Sequence, residues 1–146
     1  MWLRTVAKAL IIQDESVLTI KKYREGRSYY VLPGGGQQLG EKLSDTARRE
    51  CSEELGAHVD VDDLLFVHEY IGSDHIDEGS DPECHAISFV FACTLLTDEF
   101  HAPEPDEGQV GIEWIPISTL KGRVFYPPGL SAMINREQKV YLGDIG

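Results

Sequence analysis

Residues 35–57 read GGQQLGEKLSDTARRECSEELGA, and the fold is decided there. Leu43, Ala47, Cys51 and Leu55 recur every fourth residue, which stacks them in one stripe along an α-helix. At about 100° per residue, Glu50, Glu53 and Glu54 share one arc beside that stripe, Glu54 only about 60° from Cys51. A plain surface helix is badly served by such an arc. Glu50 and Glu54 form an i,i+4 like-charge pair, and all three acids lie toward the helix C-terminus, where the macrodipole disfavours negative charge. Gly56 suits the left-handed residue that stops the helix. A positive partner is therefore expected against the carboxylates. Hard divalent cations with oxygen ligands, Mg²⁺ or Mn²⁺, are the natural candidates.

A solvated acidic face explains any one Glu-Glu pair, but not the whole pattern. Gly35, Glu41, Arg49, Glu50, Glu53, Glu54 and Gly56 are seven positions of fixed type at set spacings, with apolar Cys51 and Ala57 between and after them. At roughly 7% usage each, seven fixed types match a random window about once in 10⁸. The pattern resembles the signature box of the Nudix (MutT-like) hydrolases. Cys51 and Ala57 stand where that family prefers bulkier aliphatics, and Gln38 stands where many members carry a loop glutamate, leaving one carboxylate fewer near the site.

The resemblance implies an α/β Nudix fold, an α/β/α sandwich with a mixed β-sheet. The box helix would lie on one face and a C-terminal helix on the other, residues 1–146 making one domain. It implies metal-dependent hydrolysis of a phosphoanhydride in a nucleoside diphosphate linked to another moiety. Glu50, Glu53 and Glu54, with the Gly34 carbonyl, would hold Mg²⁺ (Mn²⁺ a possible substitute), offsetting phosphate charge and activating water. Arg49 would orient a neighbouring carboxylate, and Glu50 or Glu107 would be the general base. In several members a glutamate in the loop before a late strand reaches back toward the box. Glu107 holds the matching place. Two alternatives stay open: a pyrophosphohydrolase acting on RNA 5′ ends, and a non-catalytic nucleotide-sensing module. The intact carboxylates count against the second.

The rest of the chain agrees. Its 146 residues are 42% apolar, enough for an ordinary core, and its net charge of −12 leaves no basic footprint for duplex nucleic acid. The resemblance implies a small-molecule nucleotide as partner, and homodimerisation is a common family habit. Three cysteines without framework spacing read as reduced thiols, so a cytoplasmic location is expected. Met1-Trp2-Leu3-Arg4 opens no long apolar run, which predicts neither a signal peptide nor a membrane span.

Thr5–Gln13 is apolar on both alternating faces except at Lys8 and reads as a strand covered on both sides. Val17–Tyr23 is a second strand after an Asp14-Glu15 turn, and Tyr29–Leu32 a third. Lys21, Lys22, Arg24 and Arg27 make the basic concentration of the chain. It is either a solubilising hairpin tip or, through Arg24 and Arg27, a phosphate-facing one. Gly35 and Gly36 would let backbone approach substrate closely. Leu65–Ile71 aligns Phe66, His68 and Tyr70 on one strand face, so Tyr70 either stacks on a base or packs in the core. His85–Leu95 alternates as a long strand, and residues 72–83 form an acidic loop. Val110–Ile115 is a late strand, Ser118 or Thr119 caps a helical turn, Gly129–Asn135 is a last helix and Lys139–Leu142 a short final strand. The ADP-ribose group of the family tends to carry a proline shortly after the box, whereas the first one here is Pro82.

Overall fold

The computed structural model describes residues 2–74, 81–97, 100, 109–134 and 140–145. Glu107, the loop glutamate expected to reach the site, lies outside these residues, as do His75 and Asn135. Nine strands and two α-helices run in the order β1 (Trp2–Leu10), β2 (Ile12–Gln13), β3 (Ser16–Arg24), β4 (Arg27–Val31), β5 (Gly34–Gly36), α1 (Leu43–Leu55), β6 (Val59–Ile71), β7 (Cys84–Leu95), β8 (Gln109–Pro116), α2 (Leu130–Met133) and β9 (Tyr141–Asp144) among the described residues. A 3-10 helix, Ile117–Gly122, follows β8.

The strands form two sheets. The larger is mixed, ordered β5-β1-β7-β6-β9, with β1 parallel to β7 and β6 parallel to β9. The smaller is antiparallel around β3, which pairs with β2, β4 and β8. The mixed character is as expected, but a second sheet is not, because β3 takes three partners and side-chain alternation says nothing about which strands pair.

Two buried clusters correspond to the two covered faces. Cys51, Leu55 and Ala57 of the box segment pack with Ala9, Ile11, Leu18, Ile20, Val59 and Cys93. Leu130 and Ile134 at the C-terminal end pack with Leu10, Val17, Tyr30, Phe66, Val90, Ile115 and Leu120. The sandwich therefore holds, with α2 a single turn rather than seven residues. Pro116, not Ser118 or Thr119, stands at the N-cap of the 3-10 helix, and Thr119 Oγ1 instead donates to the Pro116 carbonyl at 3.0 Å.

β6 begins six residues earlier than its alternation suggests. Register shifts at Val61/Leu64 and Leu64/Phe66 break the period, and Asp60, Asp62 and Asp63 disguise the strand as a loop. At the far side of this sheet, Glu69 of β6 accepts from His85 Nε2 at 3.1 Å, if that nitrogen carries the proton, and from the Tyr141 hydroxyl of β9. Among the described residues no helix is long and apolar enough to cross a membrane.

Candidate active site

The site grows from the two ends of α1. At the start no side chain caps the helix. Instead Glu41, two residues upstream, accepts from the Thr46 hydroxyl at 2.6 Å and from the Gln38 amide at 3.2 Å. Its main partner is Arg49. The guanidinium reaches Glu41 with two nitrogens, Nε to Oε2 at 2.8 Å and Nη2 to Oε1 at 3.1 Å. This fork-on-carboxylate geometry, with Thr46 and Gln38 added, holds Glu41 well below the usual carboxylate range, at about 2.

The rest of the guanidinium serves the later turns. Nη1 donates to Glu50 Oε1 at 3.0 Å and to both Glu53 oxygens at 3.3 Å, while Nη2 also donates to the Gly36 carbonyl at 3.0 Å. Arg49 thus contacts three carboxylates, and Glu41 rather than the i,i+4 partner Glu53 is met by two of its nitrogens at two oxygens. At the end of the helix, Gly56 is left-handed at φ 63° and its N–H donates to the Ser52 carbonyl at 3.0 Å.

Glu54 behaves differently from its neighbours. It is 2% exposed, as its angle from Cys51 predicts, whereas the Glu53 side chain is 53% exposed. Glu54 Oε1 accepts from the Gly34 N–H at 2.7 Å, which ties the box helix to β5. Gln109 of β8 donates to the Glu54 carbonyl oxygen at 3.1 Å.

The glycines of β5 are there for space. Gly34 has φ 140°, and a Cβ on it would overlap the Ala7 carbonyl and Lys8 Cα. A Cβ on Gly35 would come within 2.5 Å of the Glu50 carboxylate. The backbone of 34–36 therefore lies directly on Glu50, Glu54 and Arg49, so Gly34, Gly35 and Gly36 join the four box residues at one place.

Lys8 joins the same place, and the sequence reading missed its role. Its Nζ donates to the Leu32 carbonyl at 3.1 Å and the Gly34 carbonyl at 3.4 Å. Burial pushes its ammonium below the usual lysine range, against the pull of Glu54 and Glu50. The available signal was its isolation, the one charge in the run Thr5–Gln13.

Other expected site residues lie elsewhere. Tyr70 is 4% exposed, its ring 5.0 Å from that of Tyr126, so its packing is that of a core residue and offers no open face for stacking. The reason is alternation: Phe66, His68 and Tyr70 share the buried face of β6. Arg24 and Arg27 face each other across the exposed tip of the β3–β4 hairpin, and neither carries an ion pair among the described residues.

The donors suit a hard cation. Glu50, Glu53, Glu54 and the Gly34 carbonyl offer oxygen only, at a glycine-lined cradle whose carboxylates outnumber the cations among them. Among the described residues, no three acidic, histidine or cysteine side chains already converge on one point, because Arg49 holds Glu50 and Glu53 while Glu54 turns to Gly34.

Comparison with known proteins identifies the family. The family profile described as NUDIX domain matches residues 2–133. An uncharacterized Nudix hydrolase of Bacillus subtilis, YvcI, is 26% identical over 127 residues, 86% of this chain and 74% of that protein. An ADP-ribose pyrophosphatase of Methanocaldococcus jannaschii is 34% identical over 94 residues, 64% of this chain and 52% of that one. Among solved structures, a MutT NUDIX hydrolase from Burkholderia pseudomallei superposes with a TM-score of 0.75 at 23% identity, covering 93% of this chain and all of that one.

Proposed function

Because the chain belongs to the Nudix hydrolase family, we propose that it hydrolyses a phosphoanhydride bond in a nucleoside diphosphate joined to a second group, and that Glu50, Glu53, Glu54 and the Gly34 carbonyl hold Mg²⁺ for that purpose, with Mn²⁺ able to substitute. The observation that carries the reading is the convergence of Arg49, Glu50 and Glu54 on the backbone of Gly34–Gly36. The cation, when bound, supplies positive charge against the phosphate oxygens and makes water more acidic.

The chain's own residues then have definite tasks. Arg49 keeps Glu50 and Glu53 extended on one side of α1, and Glu41, bonded through two oxygens, keeps Arg49 from swinging toward substrate phosphate. The absent side chain at Gly35 lets substrate approach the Glu50 carboxylate, the candidate base among the described residues. In hydrolysis the water oxygen bonds to phosphorus while the bridging P–O bond breaks. Its electron pair leaves with the departing phosphate, and the water proton passes to Glu50. Glu107 remains the alternative base proposed from its place in the chain.

The test is a panel of nucleotide sugars, dinucleoside polyphosphates and nucleoside triphosphates, with the nucleotide products separated and quantified by chromatography, in Mg²⁺ and in Mn²⁺. ADP-ribose heads it, being the substrate in the name of the archaeal relative. Product formation that requires the divalent ion and stops with EDTA is expected. Hydrolysis that persists in EDTA removes the cation from the mechanism.

A further inference from the structure

Lys8 is unusual in three respects. It is the sole charge in the run Thr5–Gln13, and its neighbours Ala7 and Ala9 are fully buried. Its ammonium spends two donors on main-chain carbonyls, Leu32 and Gly34, at either side of Pro33. The same Gly34 presents its N–H to Glu54, so the peptide units around this residue link β1 to α1. A buried lysine usually pairs with a carboxylate, since that recovers most of the lost hydration. Here two carboxylates, Glu54 and Glu50, lie close enough to act on Lys8, yet its ammonium donates to the Leu32 and Gly34 carbonyls.

We infer that Lys8 is a positioning residue for the cation site: it clamps the Leu32–Gly34 backbone so that the Gly34 carbonyl and the Glu54 carboxylate are held at the spacing a divalent ion needs. The inference rests on the metal reading above. Two arguments support a clamp over mere packing. Gly34 sits at φ 140°, a conformation that needs outside support, and Lys8 Nζ supplies it at the carbonyl while Glu54 supplies it at the N–H. An apolar side chain of similar length could fill the space but could not bond either carbonyl. Residues that orient metal ligands in this way, without touching the ion, change affinity when removed.

A pure charge effect has the opposite sign. Lys8 brings a positive charge near the carboxylates, so if charge were all it contributed, removing it would tighten cation binding. The clamp predicts loosening.

The experiment titrates Mn²⁺ into the metal-free full-length protein, following free ion by electron paramagnetic resonance, for wild type, Lys8→Met, Lys8→Gln and Lys8→Arg. Circular dichroism confirms the fold of each. About tenfold weaker binding is expected in Lys8→Met, and recovery to within about threefold of wild type in Lys8→Arg, whose guanidinium can still donate to both carbonyls. Faster hydrogen exchange at the Gly34 amide should accompany the loss, and the deficit in turnover should shrink as Mg²⁺ is raised. Should Lys8→Met not fold, Lys8→Gln carries the same comparison, lacking the charge and the reach. Unchanged or tighter Mn²⁺ binding in the folded variants overturns the clamp while leaving the metal reading intact. Failure of wild type to bind Mn²⁺ removes the metal reading, and the clamp with it.

Discussion

Two polar clusters stand at opposite parts of this molecule, and at first sight they are alike. Each gathers carboxylate and donor on a half-buried surface. At the box, Arg49 faces Glu41, Glu50 and Glu53, with Glu54 buried alongside. At the sheet, Glu69 faces His85 and Tyr141, the first two about three-quarters buried. The difference is in balance and access. At the sheet a single carboxylate lies between the His85 ring and the Tyr141 hydroxyl inside strand register, and its backbone is engaged in the ladder. At the box, carboxylates outnumber cations and press against three glycines. A carboxylate whose demand is met locks structure, whereas an excess of carboxylate beside bare backbone is what a cation and a phosphate can use.

The strongest way to break this comparison is Glu54→Gln. The amide oxygen can still accept the Gly34 N–H, so the fold should survive, but one ligand charge is gone. Turnover, read as nucleotide product formed, should fall by about 10²-fold or more. Near wild-type turnover at saturating Mg²⁺ would strip Glu54 of its proposed role.

Arg49→Ala should come next, and its effect should be on stability as well as rate. It strands Glu41, Glu50 and Glu53 around a lost cation, at a cost of about 2 kcal/mol in urea unfolding at neutral pH. A cost indistinguishable from that of Arg48→Ala, on the exposed side of the same helix, would mean the network contributes no more than a surface pair.

A smaller effect concerns acid. The Glu41 pKa falls from 4.5 to about 2 on folding, chiefly through Arg49 and then Thr46. A depressed carboxylate adds stability above its unfolded pKa and loses it as pH falls through the folded one, here between about 4.5 and 2. Urea midpoints of Glu41→Gln should therefore decline less steeply than wild type across that window. Parallel slopes would contradict the assignment.

The mildest change should be Tyr141→Phe at the sheet cluster. It removes the hydroxyl donor to Glu69 and should leave hydrolysis within about twofold and the melting temperature within about 3 °C. A large loss of activity there would mean that the two clusters communicate.

What could be read from the chain alone follows from which interactions are periodic. The stripe of α1, the burial of Glu54 beside it and the stop at Gly56 are all set by helical geometry, so spacing reveals them. The pairing of Arg49 with Glu41 is not, because it reaches eight positions back across the helix start, beyond the i,i+4 rule. Lys8 was visible as an anomaly but its hydrogen bonds were not, since its partners are carbonyls 24 and 26 positions away. Tyr70 admitted two readings, and only the identity of the face covered by the C-terminal turn separates them. The early half of β6 was hidden by its register shifts.

The parallel pairing of β1 with β7 carries a temporal consequence. Each rung joins residues 82 positions apart, from Trp2 with Cys84 to Leu10 with Ala92. Such non-local pairing must close a long loop before any contact offsets the lost chain entropy, which places a fold among the slower refolders of its size. β5 rests on β1 at the opposite edge, so the glycine strand under Glu50 hangs from a strand whose other neighbour arrives late. During synthesis the whole signature helix is made before β7 exists to dock β1. The glycine-lined cradle is therefore expected to be among the last parts of the molecule to mature.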